Sequence, residues 1–169
     1  MPALLFFQQT IKVFSSILLA TDGQKHTLRA METCSRIAEA FSASVTALHV
    51  LDPYLKQFYN DIYAQGRREY LEHVEECIRK GASSVEEETM AYFRGRGQDC
   101  RFITRYGDPE EEIVKEVQEG DYDLLILGGK VLTGLNRIRS WNLPTKIERR
   151  GLQVPILIVR SREQEPVPR

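Results

Sequence analysis

Five short strand-like runs, set apart by stretches of helical patterning, leave this chain few architectures. They occupy residues 17–20, 45–50, 101–106, 124–127 and 154–159. Each has strand length and ends near a turn residue or a glycine, whereas a helix needs more residues to bury a stripe. Strands alternating with helices predict a parallel sheet covered on both faces, joined by right-handed crossovers. The fold class is therefore α/β, an open, doubly wound parallel sheet of Rossmann-like form.

The runs differ in ways that place them. Residues 101–106 alternate Phe102, Thr104 and Tyr106 on one side, the pattern of a half-exposed edge strand. Pro155 stands near the start of the fifth run, and a proline that cannot donate also favours an edge. Between the runs, Leu28, Met31, Cys34, Ala38 and Phe41 make the apolar stripe of a first helix. A second, from about 67 to 93, carries Leu71, Val74, Ile78, Val85 and Tyr92 and stops at Gly95 and Gly97. A third opens with Asp108 as cap, Pro109 in the first position and Glu111 at capping-box spacing, with Ile113, Val114 and Val117 inward. A fourth runs from about 142 to 150, between Asn142 as cap and Gly151 as stop.

In such sheets ligands sit outside the carboxyl ends of the strands, where the winding reverses. If the first and fourth strands are neighbours there, Asp22 and Gly128 come together. The fourth run leads into Gly128-Gly129-Lys130-Val131-Leu132-Thr133-Gly134, which reads as a strand ending in a tight loop open to a ligand. The next helix could aim its first amides at an anion held there.

The 169 residues fit one domain, with residues 1–12 read as an extension, 13–160 as the domain and 161–169 as a tail. A net charge of -1 gives the whole chain no electrostatic footprint for nucleic acid. The charge is uneven, however. Residues 108–123 carry eight acids against Lys115, and 130–150 carry six bases against Glu148, a pairing that could draw a small anion to one edge. Cys34, Cys77 and Cys100 are far apart, which suits reduced thiols and a cytoplasmic location. His73 and Cys77 share a helix face but lack a third ligand, so no metal is expected. No segment approaches the roughly 20 apolar residues of a membrane span, and the opening residues do not make a signal peptide.

Enzymatic motifs are missing. There is no G-x-x-x-x-G-K-[ST] phosphate loop and no G-x-S-x-G elbow. The histidines, His26, His49 and His73, are scattered, so no base–nucleophile pair assembles and no catalytic residue is assigned. The connection 51–65 instead offers Tyr54, Phe58, Tyr59 and Tyr63, an aromatic group suited to a protein contact.

The string Ile17-Leu18-Leu19-Ala20-Thr21-Asp22-Gly23, the run from Val45 into Leu51-Asp52-Pro53, Gly107-Asp108-Pro109, Asp123-Leu124, and the closing Val154-Pro155-Ile156-Leu157-Ile158-Val159-Arg160 together resemble the universal stress protein family. The resemblance spans 14–160 and implies a five-stranded sheet of order 3-2-1-4-5. It also implies a homodimer built on the last strand, here Val154, Ile156 and Ile158, a plausible use of unpaired edge amides. Many members bind ATP, with magnesium, through G-x-x-G-x9-G-[ST] after the fourth strand. Here the glycine positions fall on Gly128, Val131 and Trp141, and the hydroxyl position on Asn142. Asp22 and Val50 match the family's acid beside the nucleotide and its backbone contact to adenine. A β-branched valine is unfavourable where the backbone must pass a phosphate, and an indole fills the space open amides would need. The expectation is a non-catalytic stress-response protein with no bound cofactor. The alternative is a nucleotide-regulated protein or weak ATP hydrolase, with Lys130, Arg137 and Arg139 neutralising phosphates.

Overall fold

The computed structural model describes residues 13–52, 68–130 and 143–161, without the side chains of 25, 26, 68–79 and 130. The elements follow the order β1 (Ser16–Ala20), α1 (Lys25–Phe41), β2 (Ser44–Leu51), α2 (Arg68–Arg94), β3 (Cys100–Tyr106), α3 (Pro109–Glu119), β4 (Leu124–Lys130), α4 (Leu143–Glu148) and β5 (Ile156–Ser161). They form one five-stranded sheet of order β3-β2-β1-β4-β5, and each neighbouring pair is parallel. The sheet has the class and order expected, with β3 and β5 at its edges. The winding reverses between β1 and β4, paired from Ile17↔Leu124 to Ala20↔Leu127.

Strand alternation divides the core into two layers. Ile17, Leu19, Val45, Ala47, Leu124 and Ile126 pack on one face against Ala30, Met31, Cys34 and Ala38 of α1 and Phe93 of α2. Leu18, Leu48, Leu125 and Leu127 meet Ile113 and Val117 of α3 and Ile147 of α4 on the other. A strand buried on both faces must be apolar along its buried stretch, and residues 17–20 of β1 and 124–127 of β4 are.

Local chemistry explains the helix ends. The Asp108 carboxylate accepts from the amides of Glu110 and Glu111, at 2.9 and 3.2 Å, so it caps α3 as its position implies. Gly151 has φ +63, the left-handed conformation a stop after α4 calls for. The stripe on α1 needs one correction. Leu28 is 50% exposed, and Thr27 takes the inward place in that turn, 4% exposed. The inward row is Thr27, Ala30, Met31, Cys34, Ser35 and Ala38, with Phe41 half-buried edge-on against Phe14, which keeps the helical period without Leu28. Leu71, Val74 and Ile78 lie outside the described side chains.

Candidate functional site

The β1–β4 adjacency carries Asp22 and Gly128 to the same edge of the sheet, as the sequence required of a switch-point crevice. Val50 lies on β2 beside them. The β1–β2 pairing ends at Ala20↔Leu48, so His49, Val50 and Leu51 run past the end of β1. Three of the expected site residues therefore lie toward the same end of the sheet.

Their neighbours are already engaged. The Asp22 carboxylate accepts from the Gln24 amide at 2.9 Å, a turn that starts α1. The Thr27 hydroxyl also lies 3.3 Å from it. That hydroxyl has one proton to give, and the Gln24 carbonyl lies closer, at 2.7 Å. Thr21 Oγ1 stands 3.3 Å from Thr27 Oγ1 and accepts from the Gly23 amide. His49 Nδ1 is 2.9 Å from the Thr21 carbonyl. A carbonyl can only accept, so Nδ1 carries the proton. Thr21, Thr27 and His49 are all buried. Sequence reading passed over this network, although a histidine and two threonines at the ends of apolar elements were its available sign.

Gly128 and Gly129 do not open into a loop. They continue β4, with Gly128 paired to Val159, Gly129 to Arg160 and Lys130 to Ser161. Neither has the positive φ that would mark a turn. Gly128 is small for a different reason than the sequence suggested. A Cβ there would lie 2.8 Å from Thr27 Cγ2 and 3.1 Å from Thr27 Cα. What the backbone approaches closely is the first turn of α1. Gly23, at φ +72, is likewise hemmed in by Val85 of α2.

The basic stretch expected to draw an anion is partly neutralised from within. Glu110 on α3 lies 3.4 Å from Lys146 and 3.3 Å from Arg150. The acids of α3 have their own cation in Arg105 of β3. Its Nε donates to Glu116 at 2.7 Å, its other nitrogens to Glu119 at 2.7 Å and Glu112 at 3.4 Å. Hydrogen bonding, with Glu119 foremost, raises the Arg105 pKa, and the same bond lowers that of Glu119. Tyr122 donates to Glu116 at 2.7 Å. Burial first, then this bond, raises its pKa.

Cys34 and Cys100 are free and buried. Burial pushes the Cys100 thiol up to about 11 and Cys34 higher still, which favours the protonated thiol over the nucleophilic thiolate at both. Among the described residues no group of three or more His, Cys, Asp or Glu could hold a metal ion. No described helix is long and apolar enough to cross a membrane.

The model of the universal stress protein family matches residues 14–160. The chain belongs to that family. A universal stress protein of Methanocaldococcus jannaschii is 26% identical over 160 residues, covering 90% of this chain and 86% of the relative. Two solved structures share the fold. A universal stress protein family member from Burkholderia pseudomallei has TM-score 0.65 and 17% identity, covering 88% of this chain and 98% of that one. A family member from Arabidopsis thaliana, with AMP bound, has TM-score 0.58 and 16% identity, covering 86% and 91%. Membership places this chain among stress-response proteins. Of the family's nucleotide positions, Val131, Trp141 and Asn142 lie outside the described residues, as do Arg137, Arg139, Tyr54, Phe58, Tyr59 and Tyr63. Lys130 is described only as backbone in β4.

Proposed function

We propose that this universal stress protein is non-catalytic, acts as a cytoplasmic homodimer, and does not bind ATP in the mode usual for its family. One observation carries the reading: the space a side chain would take at Gly128 is filled by Thr27 of the same chain. The glycine most like the family's phosphate glycine thus has a packing reason to be glycine. Two facts add support. The other two glycine positions hold Val131 and Trp141, and the Asp22 carboxylate is engaged in starting α1.

The dimer reading rests on β5. Leu125 donates to the Pro155 carbonyl at 3.0 Å, so in this parallel register residues 155, 157 and 159 turn their backbone groups toward β4. Ile156 and Ile158 turn theirs outward. Their side chains are only half-buried, and an apolar strand whose outward backbone groups face no other described strand is suited to pairing with a second copy. Val154 lies just before the strand and packs beside the α3 layer.

A second reading has its own support: Asp22 and Gly128 lie at the reversal of winding, where α/β sheets take ligands, with Val50 toward the same end of the neighbouring β2. On that reading the protein is nucleotide-regulated, or a weak ATP hydrolase, with magnesium. Thermal unfolding titrated with Mg-ATP separates the two, since a ligand of the native state must raise the transition temperature. No shift up to millimolar ATP, and no nucleotide released from heat-denatured protein, is the expected result. A saturable rise would overturn the first reading.

A further inference from the structure

We draw no further inference here: the strongest candidate, the groove of about 820 Å3 on the α3 side of β2 and β3, lined by Asp99, Arg101, Arg105, Glu116, Glu119 and Tyr122, is a mixed-charge cluster whose principal members already bond to one another, and nothing in the structure shows what would cover it.

Discussion

The two edges of the sheet meet one physical problem with opposite side-chain chemistry. An edge strand leaves a row of amides and carbonyls without a strand to pair with, and such a row recruits other chains unless it is guarded. At β3 the guard is charge. Arg101 is exposed, and Arg105 is tied to Glu112, Glu116 and Glu119 across the groove. Tyr106, at the end of the strand, is 75% exposed. At β5 four consecutive residues, Ile156 to Val159, are apolar and half-buried. Charge must shed its water before a new strand can dock, while apolar side chains gain by docking. Under the dimer proposed above, the contrast teaches that side-chain chemistry, and not exposure alone, makes an edge adhesive.

Four experiments would break or sharpen that contrast. The largest effect is expected from Arg105→Ala, which leaves Glu116, 6% exposed, without its cation. Breaking a buried pair costs about 3–5 kcal/mol. Arg105 keeps 20% of its side-chain surface in water, so a loss of about 2 kcal/mol is expected here. Urea unfolding should show a lower midpoint at unchanged slope. An unmoved midpoint would mean that the network guards the edge without stabilising the fold.

Next comes Ile158→Pro, which removes an outward amide while leaving the β4 ladder intact. In a symmetric strand pair two hydrogen bonds are lost, each worth about 1 kcal/mol, so dimer dissociation should rise about tenfold or more. Sedimentation across a concentration series reads this directly. Wild-type protein that sediments as a monomer throughout would remove β5 from consideration as the interface.

Arg101→Ile tests the guard itself. An exposed substitution should move stability by no more than about 0.5 kcal/mol. Light scattering should nevertheless grow with concentration, as β3 acquires the character of β5. If it stays flat, charge at Arg101 is not what keeps β3 from pairing.

The smallest effect concerns pH. The pKa of Glu119 is lowered by its hydrogen bond to Arg105. A carboxylate lowered in the folded state adds stability that is present above its unfolded pKa and is lost as pH falls through the folded one. Arg105 is shifted upward and stays charged throughout that window. Wild type should therefore melt slightly above Glu119→Gln at neutral pH, and the gap should close in acid. A gap that persists at pH 2 would assign the difference to packing.

Much of this was legible in the residues. The alternation of runs gave the class of sheet, Pro155 and the pattern at 101–106 marked both edges, and Asp108 declared its cap. Each of those rests on short-range rules, where spacing or one residue's backbone chemistry decides the outcome. The strand order came from the family resemblance, and the observed pairing agrees with it.

The reading of Gly128-Gly129 as a loop shows where such rules stop. A glycine pair after an apolar run has two physical uses, a turn or a close contact, and nearest neighbours do not distinguish them. The contact is with Thr27, about a hundred residues away in the chain, and the ladder that keeps both glycines extended comes from β5. The placement of Leu28 outside and Thr27 inside follows from the same meeting of α1 with β4. The network of Thr21, Thr27 and His49 likewise exists only because β1, α1 and β2 converge.

For this protein, then, the order of residues determined which segments are strands, which are helices and how most of them begin and end, because those choices are settled within a turn or two of chain. Only the tertiary structure decided what fills the space beside Gly128 and which cations the α3 carboxylates hold, because packing and desolvation act between atoms that are neighbours in space and strangers in sequence.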